Sequence, residues 1–188
     1  LLGTAAVEAQ LSAATTGVQG SGKTTVLRAF PLAYPPDTRI VTVETDFELG
    51  LVSLGRPWTQ EMQARMPMTS TSRGISCADM MAPVLRTRGE LNMIGEVRSD
   101  EADPAIRAAN IGQGTLVTVH GSSAVAGLGQ LIDRICERGS SERDQAARMV
   151  YQAFDLVVHC SMARDRRRWI QEIVAPSTEG DRCVVHTP

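Results

Sequence analysis

The stretch GVQGSGKTT, from Gly17 to Thr25, constrains the fold more than any other part of the sequence. It satisfies the pattern G-x-x-x-x-G-K-[ST], and it lies between a short strand candidate (residues 11–16) and a helix candidate (residues 22–30). Glycines let the backbone curl so that successive N–H groups point at a phosphate, and the start of the helix adds partial positive charge. The sequence therefore predicts a phosphate-binding loop between a strand and a helix.

The loop also holds Lys23, which is the only lysine among the 19 basic residues of the chain. A compact, flexible ammonium suits the β- and γ-phosphates of a nucleotide better than a planar guanidinium does. The hydroxyl of Thr24 is placed to bind Mg²⁺, and Thr25 is placed near the α-phosphate. We expect ATP with Mg²⁺ to bind through one set of loop residues: Gly17, Gly20, Ser21, Gly22, Lys23, Thr24 and Thr25.

Composition places the chain among ordinary globular proteins. A length of 188 residues suits one domain, and 43% hydrophobic with 21% charged residues is typical of a folded core. The net charge of −2 gives no electrostatic argument for a nucleic-acid or anionic membrane face. The four cysteines form no CxxC pair, which favours reduced thiols over a metal site. The chain does not start with Met, and we expect an N-terminal part of a longer protein to precede it.

Short β-prone runs alternate with helix-length amphipathic segments, and this alternation favours an α/β fold with a mostly parallel central sheet flanked by helices. We expect strands at residues 11–16, 39–43, 91–95, 116–120 and 156–160, and helices at residues 22–30, 77–88, 101–111, 124–138 and 141–154. Residues 48–74 are interpreted as an irregular excursion. The C-terminal tail is expected to form a β-hairpin at the sheet edge.

Several polar side chains follow predicted strands, where they would meet the loop. Glu96 ends the apolar run LNMIG, and a carboxylate there can orient water for attack on a γ-phosphate. Glu44 and Glu48 follow RIVTV, and His120 follows LVTV. Each also has a plain structural interpretation, as a solvent-exposed acid or a hydrogen-bonded histidine at a strand end.

Three longer stretches carry a family resemblance: RIVTVETDFELGL, LNMIGEVRSDEA and NIGQGTLVTVHGSSA. In order and spacing they resemble the motifs of the bacterial secretion and pilus-assembly ATPases, over about residues 11–175. The resemblance is closest to the tight-adherence pilus and type IV secretion branch, because the tetracysteine module typical of the type II secretion and type IV pilus extension branch is not in the sequence. It implies a RecA-like core, formed here by residues 1–188 as the C-terminal ATPase domain.

The resemblance also implies roles for individual residues. Glu96 takes the Walker B role, the acids Glu44 and Glu48 contribute to metal and water positioning, His120 matches the second histidine of a histidine box, and Arg98 couples the site to a neighbour. Two positions depart from the family pattern. Thr45 stands where an aspartate is usual, and the place of the first histidine falls to Gln113 or Gly112.

At the level of the whole protein, the resemblance implies a homohexameric ring that hydrolyses ATP and drives an inner-membrane platform protein from the cytoplasmic face of the membrane, with no direct contact to nucleic acid. It also places arginines of an N-terminal domain over the nucleotide, so we expect a chain without that domain to bind nucleotide but to hydrolyse it poorly. The alternatives are a RecA-like helicase or DNA translocase, and a nucleotide-gated interaction module.

The remaining histidines and the basic run receive structural interpretations. His159 and His186 are expected to be structural residues in β contexts, and residues 164–168 are interpreted as a solvated hairpin turn. No aromatic residues alternate with these arginines, as they would in a surface that stacks on nucleic-acid bases.

Overall fold

The computed structural model describes residues 10–69, 72–98, 100–139, 141–179 and 182–186. Within these ranges the chain forms one eight-stranded sheet and five α-helices. The strands are β1 (Ala13–Gly17), β2 (Ile40–Glu44), β3 (Thr59–Gln63), β4 (Leu91–Ile94), β5 (Gly114–His120), β6 (Leu156–Met162), β7 (Arg168–Glu179) and β8 (Arg182–His186). The helices are α1 (Lys23–Ala29), α2 (Cys77–Val84), α3 (Ala102–Asn110), α4 (Ala124–Glu137) and α5 (Arg143–Ala153). Two short 3₁₀ segments, Phe30–Ala33 and Val52–Leu54, lie in connections.

The strand order is β3-β2-β4-β5-β1-β6-β7-β8. The first six strands in this order are parallel, and β7 and β8 add antiparallel at one end. This arrangement confirms the predicted α/β fold with a mostly parallel sheet and a C-terminal β-hairpin. Because parallel strands point the same way, the segments that follow β1, β2, β4, β5 and β6 emerge at one sheet edge, where ligands bind in open α/β folds.

Apolar residues cover both faces of the central strands, as expected for a parallel sheet packed between helices. On β4, alternate side chains belong to opposite cores: Ile94 packs with helices α2 to α5, whereas Leu91 and Met93 pack with α1 and the segment after β2. Leu27 of α1 is fully buried in that second core. The two cores hold the sheet rigidly and fix where its carboxyl edge lies.

The predicted irregular excursion contains a strand that sequence reasoning missed. β3 pairs in parallel with β2, and its sequence TQEMQ has no hydrophobic alternation. It has one neighbouring strand in the described sheet, and its side chains are half-buried or exposed, so polar residues are tolerated there. Backbone pairing rather than side-chain pattern makes this segment a strand.

Helix α2 is shorter than predicted. Ser76 caps it, with the Asp79 backbone N–H donating to Ser76 Oγ at 3.1 Å and Asp79 Oδ2 accepting from the Ser76 backbone N–H at 2.9 Å. The helix contains Pro83 and ends at Val84 instead of residue 88; the chain then turns, and Arg88 adopts a positive φ of 56°. No helix in the described ranges is both long and apolar enough to cross a bilayer.

Candidate active site

The glycine loop connects β1 directly to α1, as predicted. Its three glycines have positive φ angles of 152° (Gly17), 77° (Gly20) and 97° (Gly22). At Gly17 a Cβ atom would lie 2.4 Å from the carbonyl oxygen of Cys160, a backbone atom of the neighbouring strand β6. The loop therefore depends on glycine for its conformation and for its close approach to β6.

Lys23 begins α1 and lies under the loop. Its side chain is mostly buried, at 8% exposure, and Nζ donates a hydrogen bond to the carbonyl of Val18 at 3.0 Å. Burial lowers the pKa of Lys23, and the nearby Glu96 carboxylate partly opposes that effect. A buried ammonium that donates to a carbonyl and has no carboxylate within ion-pairing distance in the described structure is suited to receive an anion.

Glu96 lies just beyond β4, on the same sheet edge as the loop. Its Oε1 is 2.6 Å from His120 Nε2, at the end of β5, and its Oε2 accepts a hydrogen bond from Arg98 Nε. The contact with Glu96 raises the pKa of Arg98. Backbone and side-chain bonds between neighbouring strands support the trio: Thr118 Oγ1 donates to the Gly95 carbonyl at 2.5 Å, and Val97 N–H donates to the Thr118 carbonyl at 2.9 Å.

Glu44 ends β2 and is almost fully buried, at 1% exposure. Its Oε2 accepts hydrogen bonds from the backbone N–H groups of Glu48 at 2.8 Å and Leu49 at 2.9 Å, whereas its buried Oε1 has no partner. Glu48 Oε2 in turn accepts a long bond of 3.5 Å from Thr24 Oγ1. Glu44 thus holds the segment that brings Glu48 to the glycine loop.

Gly95 has no side chain, and the Glu44 side chain occupies the space beside it. A Cβ at position 95 would lie 3.0 Å from Glu44 Cγ, so a side chain there would require the Glu44 side chain to shift. Thr45 and Asp46 follow at the edge of the acidic segment, and Thr45 Oγ1 lies 3.8 Å from Cys77 Sγ. Asp46 lines a small cavity of about 30 Å³ together with Glu44, Glu48 and Glu96.

An open cavity of about 550 Å³ joins these groups. Its lining brings together most of the residues predicted for the site, namely Gly20, Gly22, Lys23, Thr24, Thr25, Glu48, Glu96, Arg98 and His120. Three other predicted residues are buried and do not line this cavity: Gly17, Ser21 and Glu44. The buried Ser21 Oγ has no hydrogen-bond partner in the described structure. The cavity places Lys23 and the start of α1 opposite Glu48 and Glu96, which suits a phosphate anion held opposite a carboxylate.

Gln113 lies away from this cavity. It precedes β5, at the amino end of the strand whose carboxyl end carries His120, and its Oε1 accepts a hydrogen bond from Asn92 Nδ2 at 3.0 Å. Strand length alone puts about 20 Å between the two ends of β5. Gln113 therefore does not join His120 in the site of the same chain.

His159 is buried in β6, and its Nδ1 lies 2.9 Å from Thr16 Oγ1, in agreement with the structural role predicted for it. His186 lies on β8, 3.0 Å from Ser177 Oγ.

The basic run contains a site residue that sequence reasoning missed. Residues 163–167 do form a turn, between β6 and β7, but Arg168 reaches the glycine loop, where its Nε donates to the Gly20 carbonyl at 2.7 Å, and it lines the cavity. The contact joins residues 148 positions apart, so no local pattern signals it. A prediction that the C-terminal hairpin pairs with β6, the strand next to β1, would have placed Arg168 near the glycine loop.

The fold and several motifs of this chain recur in known proteins. The model of a family described as Type II/IV secretion system protein matches residues 2–133. The type IV secretion system protein VirB11 of Bartonella henselae is 29% identical over 162 residues, covering 82% of this chain and 44% of the relative. The type II secretion system protein E of Pseudomonas aeruginosa is 35% identical over 120 residues, covering 63% of this chain and 22% of the relative.

A solved structure shares the architecture. The VirB11 ATPase of the Brucella suis type IV secretion system superposes with a TM-score of 0.79 at 24% identity, over 92% of this chain and 50% of that chain. The predicted RecA-like fold is thereby confirmed. The chain spans less than half the length of these two curated relatives. The assignment to the tight-adherence branch stays a prediction, whereas the match over 132 residues settles the broader group: the chain belongs to the Type II/IV secretion system protein family.

Proposed function

We propose that the chain is the ATP-hydrolysing part of a motor that powers pilus assembly or protein secretion across the bacterial cell envelope. One observation carries the proposal: the Glu96 carboxylate faces the same cavity as Lys23 and Thr24 of the glycine loop. A phosphate cradle with a carboxylate across from it is the arrangement that hydrolysis of a γ-phosphate requires.

Nucleotide binding follows from the loop. The N–H groups at the start of α1 attract the phosphates, and Lys23 exchanges its bond to the Val18 carbonyl for the β- and γ-phosphate oxygens. Since burial lowers the pKa of Lys23, the charged ammonium is insufficiently compensated in the free protein. A phosphate anion supplies that compensation and favours the charged form.

The residues present fit a magnesium ion that arrives with the nucleotide. Mg²⁺ prefers hard oxygen ligands and usually keeps several waters. Thr24 Oγ1 would hold it directly and Glu48, 3.5 Å from that hydroxyl, through water. Beside this segment, the buried Oε1 of Glu44 accepts no hydrogen bond in the described structure, so one more acceptor oxygen is available. When bound, the ion neutralises charge on the phosphates.

Glu96 acts as the general base that positions water and takes its proton as the oxygen attacks the γ-phosphorus and the bond to the β-phosphate oxygen breaks. Arg98 and His120 each hold one of its oxygens, and this fixes the carboxylate orientation. One of these contacts has to open before Glu96 can accept the proton. His120 lies on β5, adjacent to the loop strand β1, so its contact is the one a γ-phosphate would disturb first.

The wider assembly is also part of the proposal. The relatives' names place them in secretion systems, and by resemblance the chain would act as one RecA-like ATPase domain in a homohexamer, docked on an inner-membrane platform at the cytoplasmic face. Glu44 would help to order metal and water through Glu48, and Arg98 would transmit the state of Glu96 to a neighbouring subunit. Arginines of a preceding domain would complete the site, so that turnover by this chain alone is slow.

The test is Glu96→Gln, which keeps the size of the side chain and one of its two acceptor oxygens but removes the base. Single-turnover release of phosphate, with protein in excess over ATP, should fall about 100-fold or more, while the Kd for ATP changes less than about threefold. Glu61→Gln, an exposed acid on β3 outside the cavity, serves as the matched control. Undiminished turnover in Glu96→Gln, or intact secretion in cells that carry it, would refute the proposal and favour a nucleotide-gated module.

A further inference from the structure

Arg168 is a cavity residue for which the proposed function provides no role. It begins β7, opposite Met162 of β6, and its Nε donates to the Gly20 carbonyl at 2.7 Å. Its Cδ atom lies 3.5 Å from the place where a side chain at Gly22 would begin. The guanidinium is therefore held against the outside of the glycine loop, at the mouth of the cavity.

The other basic side chains at the site already have partners. Arg98 binds Glu96, and Lys23 donates to the Val18 carbonyl. Arg168 uses one of its five N–H donors on Gly20, and in the ranges that the structure describes no carboxylate lies within ion-pairing distance of it. Its remaining donors are thus available in a cavity whose floor is built for an anion.

The turn before Arg168 is ordered by its own hydrogen bonds. Ala163 N–H donates to the Arg167 carbonyl and Arg166 N–H donates to the Ala163 carbonyl, both at 2.9 Å. Arg167 pairs with Asp165 at 2.6 Å, away from the loop. Met162 approaches Gly20, with its Cε 3.8 Å from the position of a Cβ there. Of the arginines in this run, Arg168 is the one that lines the cavity.

Strand order assigns Arg168 to one end of the nucleotide. The order β4-β5-β1-β6-β7 puts Glu96 and His120 on one side of the loop strand β1 and Arg168 on the other. In the proposed function the γ-phosphate faces Glu96. The opposite flank, where Arg168 lies, then receives the nucleoside side of the phosphate chain.

We infer that Arg168 is a nucleotide-binding residue that donates to the α- or β-phosphate from the flank opposite Glu96. The inference rests on the proposed function, because it needs a nucleotide in the cavity. It predicts equal importance for ADP and ATP, since both carry these two phosphates, and no contribution specific to the γ-phosphate. Arg168 would then connect the C-terminal hairpin to the glycine loop when nucleotide is bound.

The experiment measures the Kd of ADP and of ATP, each with magnesium, for wild type, Arg168→Gln and Arg168→Lys. The glutamine variant should lose affinity about tenfold for both nucleotides, the effect of one charge-assisted hydrogen bond. The lysine variant keeps the charge and should lose less. Arg164→Gln removes the same charge from the same turn outside the cavity, and should bind both nucleotides as wild type does.

Two readouts separate binding from a merely structural role. The thermal midpoint of nucleotide-free Arg168→Gln should fall by no more than about 4 °C, the effect of losing the one exposed bond to Gly20. Its loss of affinity should shrink at high salt, because salt screens the exposed guanidinium and phosphate charges. A loss confined to ATP, a loss independent of salt, or no loss would overturn the inference. Absence of nucleotide binding by the wild type would instead refute the proposed function itself.

Discussion

Glu44→Ala tests how the acidic segment is held in place. Glu44 is at the end of β2 with 1% of its surface exposed, and its Oε2 accepts the backbone N–H groups of Glu48 and Leu49 at 2.8 and 2.9 Å. Truncation removes both hydrogen bonds and leaves the buried N–H of Leu49 without a partner. The side chain also fills the space beside Gly95, so its loss opens a cavity there.

The expected effect follows from these bonds. A hydrogen bond to a charged acceptor contributes about 1.5–3 kcal/mol, so two of them contribute about 3–6 kcal/mol. Relief of the buried charge, whose Oε1 has no partner, offsets part of that sum. We therefore expect Glu44→Ala to lower the free energy of unfolding by about 3 kcal/mol, or the thermal midpoint by about 6–12 °C for a chain of this size.

The assay is urea unfolding followed by circular dichroism, with calorimetry for the midpoint. Glu48→Ala is the matched control, because it also removes a carboxylate, four residues away. The Glu48 side chain is exposed and accepts a long bond of 3.5 Å from Thr24 Oγ1. It should unfold within about 0.5 kcal/mol of wild type. Equal stability of Glu44→Ala and wild type, or an equal loss in both variants, would refute this account of Glu44.

Three further predictions concern the loop and the far end of β5. Gly17→Ala should abolish nucleotide binding in equilibrium titration, because its Cβ would lie 2.4 Å from the Cys160 carbonyl oxygen; retained affinity would contradict the loop geometry. Burial lowers the pKa of Lys23, so between that lowered pKa and the ordinary one the unfolded chain binds more protons than the folded chain. Over this pH range the free energy of unfolding of wild type, relative to that of Lys23→Met, should rise as the pH increases. A difference between the two proteins that does not change with pH would count against this prediction. Gln113→Ala should lose about 1 kcal/mol of stability with the Asn92 bond and leave the Kd for ATP unchanged, and a weakened Kd would place Gln113 in the site after all.

Local chemistry made much of the site predictable. The glycine loop needs positive φ at Gly17, Gly20 and Gly22, and the sequence supplies glycine at each. Glu96 and His120 follow apolar runs of parallel strands, so their meeting at one sheet edge follows from topology alone. In each case, a short sequence pattern determines the position.

The missed features depend on distant contacts or on backbone alone. β3 consists of polar residues and is a strand because it pairs with β2. Arg168 belongs to a basic run typical of a solvated turn, and only the packing of β7 beside β6 brings it to Gly20. The bonds that Glu44 makes to Glu48 and Leu49 depend on how the chain turns after β2, a course that residue types do not specify.

Titration calorimetry of ATP with magnesium, on wild type and on Lys23→Met, tests the central claim most directly. The account predicts one nucleotide per wild-type chain and a loss of affinity of about 100-fold or more in Lys23→Met, because the ammonium under the loop is then absent. Calorimetry that shows no uptake by the wild type, or equal uptake by both proteins, would contradict the claim that the loop and the carboxylate opposite it form a site for ATP.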